Sequence, residues 1–152
     1  MEGSRLEEHK GQEANSILKR KNVIGLWEKE MSGLNKTPEM KFVEKGWGYE
    51  RWIVNKPEYC GKLLFFNKGK RCSWHFHELK DEVFYLQSGK LLVKYSDQDN
   101  IEKAEELVLN AGENFYIYTG LRHQMIALED SELFEFSTEH FDSDSYRLQK
   151  GD

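Results

Sequence analysis

From Gly46 onward, apolar and polar residues alternate in short runs broken by Gly, Asn, Asp and Pro. A period of two marks strands with one buried face. The runs predict strands over 49–55, 62–66, 72–77, 82–86, 91–95, 106–109, 114–118, 123–128 and 132–137. Turn formers separate them: Lys56-Pro57-Glu58, Asn67-Lys68-Gly69, Ser88-Gly89-Lys90, Asp97 to Asn100, and Asn110-Ala111-Gly112. Short strands at this rhythm predict an all-β domain, a barrel or jelly roll, over 46–150. No unit repeats, so a single barrel is expected.

The first 45 residues follow a different pattern. Met1 to Asn15 is polar without a hydrophobic period and predicts a disordered or loosely ordered tail over 1–15. In Ser16 to Met31, Ile17, Ile24, Trp27 and Met31 share one helical face, with Lys19, Arg20, Lys21, Glu28 and Lys29 mostly elsewhere. This predicts an amphipathic helix, weakened by Gly25, within an extension and linker over 16–45. Its stripe is expected to cover the barrel or a neighbouring subunit.

Composition narrows the class. A length of 152 residues fits one domain. A net charge of -5 with intermixed signs gives no reason to expect a nucleic-acid partner. No apolar run approaches the roughly 20 residues of a membrane span, and no apolar leader is visible, so no membrane partner and a cytoplasmic location are expected. Cys60 and Cys72 lie in or beside predicted strands and read as reduced, buried thiols.

The chemistry concentrates in one stretch. His75 and His77 stand two apart, so on a strand both imidazoles face the same way, about 7 Å apart along the backbone. The polar run Glu78 to Asp81 suits a turn, after which Glu82 opens the next strand and can face them. Two imidazoles and a carboxylate make most of a divalent-metal site, and His123 is the best candidate for the missing ligand. His9 and His140 lie in charged, turn-like sequence and read as solvated.

Here the chain resembles a family. Gly69, His75, His77, Glu82 and Gly89 are similar to the first cupin motif, Gly-x5-His-x-His-x4-Glu-x6-Gly, at every defining position. Gly112, Gly120 and His123 resemble the second motif, with Tyr118 in place of its Pro and Ala127 in place of its Asn. The resemblance implies a cupin jelly-roll barrel holding Fe, Mn, Zn, Ni or Co. Looser similarity, in Gly46-Trp-Gly-Tyr-Glu50, Tyr59-Cys-Gly-Lys-Leu63 and the stretch Phe136 to Arg147, points to the cupin domain of type II phosphomannose isomerases and related sugar-metabolism cupins.

Strand alternation places Ser73, Arg71, Phe84, Leu86 and Met125 on the ligand side, and Trp74 and Phe76 on the other. Bare, those two aromatics would be costly, so a covering segment or second subunit, and hence a homodimer, is expected. Three imidazoles and one carboxylate would leave a divalent ion near +1 with positions open for substrate oxygens. Such a centre suits aldose–ketose isomerisation of a small sugar or sugar phosphate, given a base. Glu135 is the preferred base over Glu132. Lys62, Arg71 and Arg122 are candidates to hold an anionic group, and Tyr118, with Tyr49 and Tyr116, to contact a sugar. A non-haem iron dioxygenase uses the same ligands, and a non-catalytic sugar- or effector-binding module is the third reading.

Overall fold

In the computed structural model, the described residues are 38–152. The tail expected over 1–15 and the helix expected over 16–31 lie outside them. Eleven strands are described: β1 (Lys41–Lys45), β2 (Gly48–Lys56), β3 (Tyr59–Phe66), β4 (Trp74–Phe76), β5 (Glu82–Ser88), β6 (Lys90–Ser96), β7 (Glu105–Asn110), β8 (Asn114–Ile117), β9 (Arg122–Ala127), β10 (Ser131–Ser137) and β11 (Tyr146–Gln149). They form two antiparallel sheets, ordered β1-β2-β3-β10-β5-β8 and β11-β4-β9-β6-β7. The fold is all-β, as the alternation predicts.

The inward positions are layered. In the first sheet Leu133 lies opposite Leu64 on one side and Leu86 on the other. One inward step along, Glu135 lies opposite Lys62 and Phe84; a further step sets Ser137 opposite Cys60 and Glu82. In the second sheet Ala127 pairs with Leu91 and Met125 with Val93, whereas His123 pairs with His75 and Tyr95. One end of the interior is therefore hydrocarbon and the other carries ionisable groups. The hydrocarbon end holds Leu64, Phe66, Phe84, Leu86, Leu91, Val93, Leu109, Ile117, Met125 and Leu133, with Trp47 stacked on Phe66 at 4.2 Å. Each such side chain contributes roughly 1.5–3 kcal/mol on burial. That end supports the polar end.

Two glycines set the connections that align the motifs. Gly89, at φ 87°, joins β5 to β6, and a Cβ there would lie 2.3 Å from the Asp130 carbonyl oxygen. Gly120, at φ 88°, donates its N–H to the His77 carbonyl at 2.6 Å, tying the approach to β9 to the loop after β4.

Three expectations change. β1 pairs along its length with β2, so the barrel begins at Lys41 rather than 46. β1 and β11 bury almost nothing and so lack the alternation that reveals a strand. The run over 72–77 is a strand only at Trp74–Phe76, with Arg71 making an isolated bridge to Ile126. Trp74 and Phe76 do face away from the ligands, but the domain covers them itself. Trp74 is fully buried, and its Nε1–H donates to the Asp99 carbonyl at 2.7 Å. Phe76 stacks on Tyr146, 5.0 Å away, with the Arg122 guanidinium 4.1 Å from its ring centre. No second subunit is needed over them. Cys60 and Cys72 are buried and unpaired. Among the described residues, no helix is long and apolar enough to cross a membrane.

If the loop through Asp99 seals Trp74, Trp74→Ala should cost about 3–5 kcal/mol in urea unfolding. A loss below about 1 kcal/mol would contradict that packing.

Candidate metal centre

His75 lies on β4, His77 just beyond it, Glu82 at the start of β5 and His123 on β9. Ring centres are separated by 4.3 Å (His75–His123), 5.0 Å (His75–His77) and 5.7 Å (His77–His123). One nitrogen from each of the three histidines lies within 4.8 Å of the others. The Glu82 Oε1 atom is 3.3 Å from His123 Nε2 and 3.6 Å from His77 Nε2.

The backbone fixes which nitrogen faces inward. His75 Nδ1 lies 2.9 Å from the Ser73 carbonyl, His77 Nδ1 2.6 Å from that of Asp144, and His123 Nδ1 2.9 Å from that of Leu121. A carbonyl only accepts, so each Nδ1 carries the hydrogen and donates it, which in the neutral ring leaves Nε2 the nitrogen with a lone pair for a ligand bond. Burial, with the neighbouring His123 and His77, holds His75 well below the usual imidazole range. Burial and the Lys80 ammonium bring His77 down to about 4. Burial alone would raise Glu82, but Lys80 and the imidazoles outweigh it and hold the carboxyl well below its usual range.

These residues fit a metal ion. His123 Nε2 and both Glu82 oxygens are buried without a hydrogen bond. Glu82 Oε2 is nonetheless 2.8 Å from Lys80 Nζ, so it is ion-paired. That leaves Oε1 and His123 Nε2 facing each other as two acceptors, an arrangement that calls for a cation between them. Three nitrogens and a carboxylate oxygen suit a first-row divalent ion.

Behind the ligands lies a charge network. Lys80 is buried and its Nζ lies 2.8 Å from both Glu82 Oε2 and Glu135 Oε1. Burial would lower the Lys80 pKa, but Glu135 and Glu82 outweigh it and it is raised. Lys62 Nζ is 3.5 Å from Glu135 Oε1 and 4.2 Å above the Trp52 ring. Asp144 holds the turn that turns Lys80 inward: its carboxylate accepts the N–H groups of Glu78 at 2.8 Å, Leu79 at 3.1 Å and Lys80 at 3.0 Å. The whole opens into a cavity of about 680 Å³, with Phe84, Met125, Leu64 and Phe66 in its wall.

Residues 63–137 match the cupin domain family. The chain carries a cupin domain. The fold also matches solved structures at low identity. The capsular polysaccharide assembling protein CapF from Staphylococcus aureus is 19% identical, with a TM-score of 0.63, over 73% of this chain and 34% of that one. KdgF from Halomonas sp. is 23% identical, with a TM-score of 0.57, over 72% of this chain and 93% of that one. An oxalate decarboxylase variant from Bacillus subtilis is 18% identical, with a TM-score of 0.64, over 72% of this chain and 30% of that one. This chain therefore spans about a third of the length of CapF and of the decarboxylase. No curated protein matches it in sequence. At these identities the likeness establishes the fold and nothing finer.

Within the cupin barrel, Glu135 and Lys62 both line the cavity and are both buried. Leu86 lies in the core beneath Phe84 and Met125 rather than in the cavity wall. Arg71 is exposed outside the cavity, because the chain leaves strand geometry there. Arg122 points to the opposite face, where Asp99 at 2.7 Å, the Gly120 carbonyl at 2.8 Å and Phe76 occupy it. Tyr118 is also outside, its hydroxyl donating to Asp97 at 2.7 Å. Tyr116 is exposed, and Tyr49 stacks between Phe42 and Phe65. Glu132 faces the other side of β10.

Two cavity groups, His140 and Lys80, and one residue behind them, Asp144, escape the sequence reading. His140 is half-buried in the wall, edge-on to Trp52 at 4.7 Å and 3.2 Å from Asp142 Oδ1, rather than solvated. Lys80 was hidden in a polar run, although its position two before Glu82 is a usable sign of a shared face. Asp144 gives no local signal, because its partners lie more than 60 residues away.

Two outcomes are expected. His75→Ala or His77→Ala should abolish stoichiometric metal in elemental analysis while the β-type circular dichroism persists; full retention in both variants would refute the ligand set. Depressed imidazole pKa values mean that the unfolded chain binds more protons between about 4 and 6.5, so the metal-free fold loses stability as pH falls through that window. Metal uptake should accordingly persist from pH 7 down to about 5.5. Half-loss near pH 6.5 would show ordinary, solvated histidines.

Proposed function

We propose that this cupin binds a divalent transition-metal ion through His75, His77, Glu82 and His123. With it, the protein would act on a small sugar or sugar-phosphate-like substrate by aldose–ketose isomerase-type proton transfer. The observation that carries the reading is a buried carboxylate, Glu135, sharing one cavity with the imidazoles of His75, His77 and His123. About 680 Å³ is within the range of small-molecule sites. The likeness to CapF, a capsular polysaccharide assembling protein, supports a saccharide-like substrate.

When bound, the ion would supply Lewis-acid polarisation of a carbonyl oxygen. Glu135 would serve as the base. Burial alone would raise its pKa, but Lys80 and Lys62 outweigh this and keep it a carboxylate. It takes a proton from the carbon beside the carbonyl and returns it to the adjoining carbon, while the hydroxyl proton passes between the two oxygens. No oxidant is consumed. Lys80 and Lys62 hold the carboxylate in place from two directions, which fixes the point of proton transfer. Leu64, Phe66, Phe84, Met125 and the Trp52 ring supply apolar wall in the same cavity.

The test is solvent-deuterium exchange, followed by NMR, over a panel of aldoses, ketoses and their phosphates under anaerobic conditions. Wild-type protein should exchange one C–H, and Glu135→Gln should retain metal but lose exchange by at least about a hundredfold. Oxygen consumption without exchange would overturn the isomerase in favour of a dioxygenase. Stabilisation by a sugar without either reaction would favour a binding module.

Assembly as a homodimer belongs to the same proposal. The apolar outer face of the six-stranded sheet, with Ile53, Tyr59 and Phe136 exposed, is the surface that would serve it. Sedimentation should give a dimer; a single monomeric species at tens of micromolar would remove it.

A further inference from the structure

We infer that Asp144 is a positioning residue of the metal centre: its main chain orients His77 as a ligand, and its carboxylate sets the turn that brings in Lys80. The inference rests on metal binding as proposed above. It goes further by making one ligand depend on a residue 67 positions away.

The three imidazoles are not held alike. His75 Nδ1 donates to the Ser73 carbonyl and His123 Nδ1 to the Leu121 carbonyl, each two residues back on its own segment. Those rings are oriented locally, by the stretch that carries them. His77 stands just beyond the end of β4. Its Nδ1 donates instead to the Asp144 carbonyl at 2.6 Å, across the fold. Strand pairing explains the meeting. β11 runs antiparallel to β4, with Arg147 opposite His75 and Tyr146 opposite Phe76. Continued by two residues, that register brings Asp144 alongside Glu78.

The side chain of Asp144 secures the approach. It is buried, and its Oδ1 accepts the N–H groups of Glu78 at 2.8 Å and Leu79 at 3.1 Å. Its Oδ2 accepts those of Leu79 at 3.1 Å and Lys80 at 3.0 Å. Without the carboxylate these N–H groups would lose their acceptor, which a buried turn does not tolerate cheaply. The same bonds pin the main chain at Asp144, so its carbonyl stays aimed at His77. Lys80, at the end of the turn, then reaches Glu82 and Glu135 at 2.8 Å each. One side chain thus fixes both a ligand imidazole and the cation beside the ligand carboxylate. Partners of this kind carry roughly tenfold to a hundredfold in metal affinity.

The test uses the full chain and two readouts: cobalt(II) titration followed by visible absorption, and ring-nitrogen NMR of the histidines in metal-free protein. In wild-type protein His75, His77 and His123 should each carry the hydrogen on Nδ1. Asp144→Ala should release that preference at His77 alone and weaken cobalt at least about tenfold. Asp144→Asn keeps one acceptor oxygen, so it should move both readouts the same way by less. Should Asp144→Ala not fold, Asp144→Asn decides. Leu109→Ala, in the hydrocarbon end, controls for lost stability: it should unfold at lower urea yet keep both readouts. Wild-type protein that takes up no cobalt would overturn the metal reading, and the ring-nitrogen comparison would still decide whether Asp144 orients His77. Undiminished cobalt affinity in the Asp144 variants would overturn the inference and leave the metal reading standing. So would a His77 ring that is unaltered or that changes together with His75 and His123, or an equal loss of cobalt in Leu109→Ala.

Discussion

Two lone pairs face each other across 3.3 Å of buried space, one on His123 Nε2 and one on Glu82 Oε1. Neither has a hydrogen-bond donor. A folded chain retains so unfavourable a pair only if something positive sits between them. The surroundings are arranged to keep it so. Three backbone carbonyls hold the imidazole hydrogens on the far nitrogens, and Lys80 occupies the other oxygen of Glu82. A second metal ligand atom is thus left bare on each side by the same network that satisfies everything behind it.

The barrel makes this arrangement possible by separating hydrocarbon from charge along the strands. Each of β3, β5, β9 and β10 carries both kinds of residue on its inward face: Leu64 with Lys62, Phe84 with Glu82, Met125 with His123, and Leu133 with Glu135. The antiparallel register then gathers like with like. The apolar layers provide the burial free energy, and the polar end is stabilised mainly by charge pairing within it. A core packed this way offsets the desolvation of four charged side chains only because each meets an opposite charge.

The period-two pattern was sufficient for nine of the strands and for the ligand face, because a buried side chain leaves its mark every second residue. Glu135 and Lys62 were legible for the same reason. β1 and β11 were not, being edge strands with no buried face. Tyr118 and Arg122 were assigned to the site from residue type, and Arg71 by extending strand alternation to a position where the chain has left strand geometry; all three lie outside the cavity. Lys80 and Asp144 were invisible because their roles depend on contacts across the fold: Asp144 grips three N–H groups of a turn that reads as solvent-facing in isolation. Trp74 and Phe76 were placed on the correct face, but their cover is a polar loop and the last strand rather than another subunit.

The most direct measurement is X-ray absorption at the edge of the metal in stoichiometrically loaded protein. The outer-shell scattering of three imidazoles, together with an oxygen-only remainder of the inner shell, is the expected result. Fewer than three imidazoles, or a sulfur scatterer from the cavity-lining Cys72, would contradict the site built from His75, His77, Glu82 and His123.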